Sequence, residues 1–224
     1  MNKTVLFAGA AALALTGGSA IAKPAHPTLS VKASSHAFHV ILPHAGAGYS
    51  QRDNDNGVGI VSQNFLDSGF SIYDAAGADD FKLKKKAKLT EVDVDGIYFN
   101  GYGPAASIDV HYYANSGGVP GKEVAKCLGA SYSDETGFGT FDVPCKASFK
   151  AKKSAWVSVA ANMAFGSGGE WGWNTNNTVR NGASQWQNPG SGFATGCSSW
   201  GTTTTCIPSG EGGDFSYAVL GKIK

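Results

Sequence analysis

Two stretches carry residue types whose spacing could do chemistry. The first is Glu91-Val92-Asp93-Val94-Asp95, three carboxylates at alternate positions. Alternate residues of a strand share a face, so the acids line one side and the valines the other. On an open, concave sheet such a row could supply the nucleophile and the proton donor of a retaining glycosidase, which needs two carboxyls about 5 Å apart. The plainer expectation is a strand whose acidic face is solvated. The second stretch, residues 168–193 (GGEWGWNTNNTVRNGASQWQNPGSGF), holds three of the five tryptophans. Trp171 and Trp173 are two apart and share a face on a strand, with Trp186 further on. Indoles stack on the apolar faces of sugars at little entropic cost, and fixed amides sort hydroxyls. Trp171, Trp173, Trp186 and Trp200 are therefore candidate stacking residues, with Glu170, Asn174, Arg180 and Gln185 as polar selectors. The competing expectation is that the rings plug one end of a core, with the amides bonding loop backbone. Trp200 is expected to be exposed and Trp156, in AWVSVA, to be core.

Other constellations are weaker. Asp53 and Asp55, and Asp79 and Asp80, lie in acid clusters that could ligate a structural Ca²⁺ through carboxylates and carbonyls; the alternative is turn chemistry, in which Asp and Asn cap their own backbone. No other cofactor is implied. No G-x-S-x-G occurs beyond residue 22. His111 shares a strand face with Asp109 but has no marked nucleophile beside it. His36, His39 and His44 match no standard metal spacing. Residues 82–88 (KLKKKAK) pack five lysines into seven positions, as a holder of an acidic polymer or as a gatekeeper against edge pairing.

The elements that must position these residues are β. Residues 1–22 read as a signal peptide: a basic start, an apolar run too short to span a bilayer, and small residues before the cut. Removing them takes away Lys3 alone, so the formal charge goes from +1 to 0. A neutral domain is not built for nucleic acid or anionic membrane by bulk electrostatics. Residues 23–36 read as a linker and 37–224 as one domain. Period-two runs predict strands at 38–42, 88–94, 97–99, 107–113, 139–143, 155–160 and 215–220, cut by glycine-rich turns. No helix-period window follows residue 22. Four cysteines in an exported chain allow three pairings; the local one, Cys127–Cys145 with Cys197–Cys206, is expected. The fold class is all-β: a single antiparallel β-sandwich, jelly-roll-like, with long Gly-rich loops.

Two resemblances enter on these residues. The succession of residues 73–81 (YDAAGADDF), 96–124, GGEWGW and ASQWQNPGSGF resembles a type of secreted bacterial β-sandwich found alone or attached to exported proteins, which implies a fold and a compartment but no substrate. Residues 91–95 are similar to the E-x-D-x-E signature of laminarinase-type jelly-roll glycosidases. That match implies Glu91 as nucleophile, Asp93 as orienting acid and Asp95 as acid/base, with Asp where that family has Glu. The leading expectation is a secreted, non-catalytic module that binds extracellular or cell-surface glycan. The alternatives are an interaction or matrix protein that binds another extracellular protein, and a small retaining glycoside hydrolase.

Overall fold

The computed structural model describes residues 23–32, 46–150, 153–209 and 212–224. The signal peptide at 1–22 and the strand expected at 38–42 lie outside them. In chain order the strands are β1 (Ser30–Lys32), β2 (Ala47–Ser50), β3 (Asp55–Val61), β4 (Gln63–Phe65), β5 (Ala76–Lys82) and β6 (Ala87–Val94). Then come β7 (Gly96–Phe99), β8 (Ser107–Ser116), β9 (Val119–Ala130), β10 (Ser133–Asp134), β11 (Phe141–Phe149) and β12 (Ser154–Met163). The last are β13 (Glu170–Asn176), β14 (Gln185–Gln187), β15 (Gly201–Thr202), β16 (Asp214–Phe215) and β17 (Tyr217–Ile223).

The protein is an all-β sandwich. One layer is a sheet in the order β15-β14-β5-β12-β8-β9, antiparallel except where β4 runs parallel to β12. We call it the front sheet. The opposing layer contains β10-β11-β6-β17-β2, the back sheet, and β1-β3-β13-β16. These two meet at a corner. β6 and β17 are neighbours up to Val94 and Tyr217; beyond them β7 pairs with the first half of β13 and β16 with its second half. The corner is fixed by Asp95 N donating to Ser216 O (3.1 Å) and Asn174 N donating to Asp95 O (2.8 Å).

The core lies between the layers. Strand alternation supplies it: Ile108, Val110 and Tyr112 from β8, Val157, Val159 and Ala161 from β12, and Val92 and Val94 from β6 are all buried in one cluster. Both expected disulfides are present, Cys127–Cys145 and Cys197–Cys206. The first ties β9 to β11 across the layers, the second clamps the chain beyond β14. Removing either relaxes the unfolded chain and costs about 2–4 kcal/mol. Two glycines are required by close approach. A Cβ on Gly96 would lie 2.4 Å from Trp171 Nε1, and one on Gly172 would lie 2.8 Å from the Gly59 carbonyl carbon.

Two expectations change. The 23–36 segment is not simply a linker: β1 pairs with β3, and Leu29 and Val31 pack against the core. The Trp-rich run at 170–176 is not part of a long Gly-rich loop but β13, the strand that joins β3, β7 and β16.

Candidate functional site

Trp171, Trp173 and Trp186 are each 0% exposed. Their indole N–H groups donate to Gly139 O (2.8 Å), Ser216 O (2.9 Å) and Val61 O (2.8 Å). Trp171 stacks on Phe141 at 5.0 Å and Trp173 on Phe215 at 4.6 Å. A ring with no surface cannot stack on a ligand, so these three are core and their role as display residues is corrected. Their polar neighbours are structural as well. The Glu170 carboxylate, 0% exposed, accepts from Thr28 N (2.8 Å) and from Asn100 Nδ2 (2.7 Å), clasping the N-terminal segment to the body. Burial pushes its pKa up to about 7. Asn174 Nδ2 donates to Asp55 Oδ2 (2.8 Å), Gln185 Nε2 to Ala183 O (3.1 Å), and Arg180 Nη2 to Asp53 Oδ2 (2.9 Å).

The carboxylate row is closed too. Asp93 is 0% and Asp95 1% exposed, while Glu91 is half-buried. Asp93 and Asp95 are not solvated, because Arg52 covers them. Arg52 Nε and Nη2 donate to Asp95 Oδ1 at 3.0 and 2.7 Å, and Nη1 to Asp93 Oδ2 at 3.4 Å. Ser216 Oγ donates to Asp95 Oδ2 (2.6 Å). Burial, and then the Asp142 charge, push Asp93 up to about 8. No glycosidic oxygen reaches Asp93 or Asp95 in this arrangement, so the orienting and acid/base roles expected of them are corrected to a buried cluster with Arg52 at the corner, which leaves Glu91 without the partner carboxyls its expected role as nucleophile needs.

The four calcium candidates are engaged by protein donors. Asp53 pairs with Arg180, and Asp55 accepts from Gly57 N (2.6 Å), as in an Asx turn. Asp79 accepts from Gln51 Nε2 (2.8 Å) and Phe215 N (2.6 Å), and Asp80 from Gly182 N (2.9 Å). Burial first, then Asp214, holds Asp79 well above the usual carboxylate range. Among the described residues no three acid, His or Cys side chains converge in metal-binding geometry.

A different set of residues does converge, on the outer face of the front sheet. β8 turns Asp109, His111 and Tyr113 outward, opposite to its core residues. His111 Nδ1 pairs with Glu123 Oε2 (2.7 Å) of β9, and not with Asp109. Asp109 instead accepts from Asn162 Nδ2 (2.8 Å), Asn64 Nδ2 (3.2 Å) and Gly129 N (2.7 Å), a polar row across β4, β12, β8 and the end of β9. His111 and Tyr113 rings are stacked at 6.0 Å, and Trp200 meets Tyr113 edge-on at 6.0 Å. Trp200 precedes β15, four strand steps from β8. At about 4.8 Å per step no indole spans that distance within the sheet, so the 198–200 segment folds back over the outer face. Trp156, the register partner of Tyr113, is 0% exposed, and its Nε1 donates to Asn115 Oδ1 (2.9 Å). Trp156 is thus buried as expected, but on the outer face and not in the core cluster. Trp200 is half-buried, not fully exposed. Burial, reinforced by Glu123, pushes the Tyr113 hydroxyl up to about 12, so it stays a neutral donor. The alternation in 107–113 is the signal by which Tyr113 could have been found.

Comparison with known proteins finds no family model that matches the chain, and no curated protein or solved structure that is similar to it.

Proposed function

We propose that the protein is a secreted, non-catalytic binding module that holds an extracellular glycan on the outer face of the front sheet. The disulfides, and the lack among the described residues of a helix long and apolar enough to cross a membrane, fit a compartment outside the cytoplasm. The observation that carries the reading is the Trp200–Tyr113–His111 group: fixed, half-buried rings beside the Asp109–Asn162–Asn64 row. Aromatic faces take the C–H surfaces of a pyranose, and the amides and carboxylate take its hydroxyls. The site of the reading moves from the buried tryptophans to this face, and the Cys197–Cys206 bridge becomes part of it by holding the segment that bears Trp200.

The test is depletion of residues 23–224 from solution by a panel of insoluble polysaccharides, with Trp200→Ala and Tyr113→Ala beside the wild type. Retention on at least one polymer, lost in both folded variants, is the expected result. Failure of every polymer to retain the wild type ends the glycan reading. One observation then favours the protein-partner alternative. Tyr102 is 94% exposed on a turn whose Gly103 N donates to Gly168 O (2.9 Å) and whose Ala105 N donates to Tyr98 Oη (3.2 Å). A rigid turn that presents one aromatic ring suits an anchor at a protein interface.

A further inference from the structure

The outer face of the back sheet is divided in two. The half near the corner carries Asp93 and Asp95 under Arg52. The other half carries lysines that come from three separate parts of the chain. In the strand register Lys88 of β6 lies directly opposite Lys222 of β17 on one side and Ser148 of β11 on the other. One step further along, Lys224 N donates to Lys86 O (2.8 Å), and continuing the β11 register sets Lys150 opposite Lys86. Lys146 stands at the bulge of β11, and Lys84 and Lys85 at the turn before β6. All of these lysines are exposed, and among the described residues no carboxylate pairs with any of them.

The sequence offered gatekeeping as the plain account of residues 82–88. Lys88 sits on β6, which has β11 on one side and β17 on the other. A strand paired on both edges has no edge to guard. Like charges directly opposite each other on neighbouring strands are destabilising. The Lys88–Lys222 pair therefore costs stability and serves no contact of the fold, which is the expected signature of a surface kept for an anionic ligand.

We propose that this half of the back sheet is a second binding site, for an anionic polysaccharide chain lying across β11, β6 and β17. Its carboxylates or sulfates meet lysines repeating about 4.8 Å from strand to strand and nearly 7 Å along each strand. The face favours a flexible single chain over a nucleic acid duplex. A stiff duplex following the sheet would run onto Glu91, Asp142 and the other acids, and the chain as a whole carries a net charge of +1. It favours a polymer over a lipid surface because membrane docking adds apolar insertion to charge. On these strands the exposed apolar side chain, Ile223, alternates away from Lys222 and Lys224 and lies toward Gly48. The site is separate from the Trp200 face and does not rest on it.

The experiment titrates residues 23–224 with polygalacturonate, dextran sulfate and neutral dextran, at salt from about 50 to 200 mM. The wild type should bind both anionic polymers, weaken as salt rises, and ignore dextran. Lys88→Ser/Lys222→Ser should bind the anionic polymers about tenfold more weakly with a shallower salt slope, and melt no lower than the wild type, since a repulsion is removed. Lys122→Ser/Lys126→Ser, on β9 of the other layer, should match the wild type. Trp200→Ala should keep anionic-polymer binding, so the two sites fail independently. The proposal is overturned if the wild type binds neither anionic polymer, or if the Lys88/Lys222 variant binds as the wild type does. It is equally overturned if duplex DNA or phosphatidylserine-containing vesicles compete more strongly than the polymers.

Discussion

β13 and β8 are built on the same plan and come to opposite ends. Each turns large side chains into the core, Trp171 and Trp173 in one and Val110 and Tyr112 in the other, and carries polar residues at alternate positions, Glu170, Asn174 and Asn176 in one and Asp109 and His111 in the other. On β13 the polar face is covered by the chain itself. Thr28 and Asn100 close over Glu170, Asp55 bonds Asn174, and the Gln51 carbonyl accepts from Asn176 Nδ2 (2.6 Å). On β8 the corresponding face, with Asp109, His111 and Tyr113, is covered in part by the 198–200 segment and otherwise open. The two faces thus differ in how far other segments of the chain cover them, and not in whether their acids are satisfied. Glu170 and Asp109 are both hydrogen-bonded acids, but Asp109 stands beside half-exposed rings.

The sharpest break of this comparison is by truncation of one ring on each side. Trp173→Ala should cost about 3–5 kcal/mol in urea unfolding, as for a large aromatic removed from a packed core. Tyr113→Ala should cost far less and should show its effect in polysaccharide retention. Equal losses of stability would mean that the β8 face is packed as tightly as the β13 face, and would sink the distinction. Next in size is the bridge that holds Trp200. Cys197→Ser/Cys206→Ser closes no long loop, so its cost should be about 2–3 kcal/mol. Retention on polysaccharide should fall as far as in Trp200→Ala, although Trp200 itself is intact. Retention at the wild-type level would show that the bridge does not position the ring.

The last test is pH dependence, and it belongs to the covered side. Burial raises Glu170 from its ordinary value of 4.5 to about 7, Asp214 from 3.8 to about 7, and Asp93 from 3.8 to about 8. A carboxyl whose folded pKa is raised holds its proton in the folded state after the unfolded chain has lost it. The stability linked to that proton is complete below the ordinary value and is lost as pH climbs to the folded one. The melting temperature should therefore fall from pH 5 to pH 8, the reverse of a fold held by ionised acids. Glu170→Gln should flatten the part of the fall that ends near 7, and Asp93→Asn the part that ends near 8. A midpoint that rises across this window in the wild type would contradict the burial of these groups. Trp200→Ala removes none of these three carboxyls and should leave the profile unchanged.

Much of the fold was legible. The runs at 88–94, 97–99, 107–113 and 155–160 all fall within strands, because alternation on a half-buried sheet writes itself into the sequence. Among the strands that escaped, β3, β5, β9 and β13 are rich in glycine, charge or amide and lack the apolar period, and β1, β2, β4, β10, β14 and β15 are only two to four residues long. β13 misled most, since a strand buried on both faces yet polar on one reads as a loop. The candidate site was legible only as a pattern. The outward set Asp109, His111, Tyr113 could be read, but its neighbours Asn64, Asn162 and Trp200 come from strands and turns 45 to 90 residues away.

By itself the sequence determined the all-β class and the local disulfide pairing, because strand periodicity and the loops closed by neighbouring cysteines are properties of short stretches. Only the tertiary structure decided which polar faces are covered. Burial depends on which distant segment lies above a face: Thr28 above Glu170, Arg52 above Asp93 and Asp95, Trp200 above part of the front sheet. It also decided that lysines from residues 84–88, 146–150 and 222–224 share one surface, because strand register brings together residues that the sequence keeps far apart.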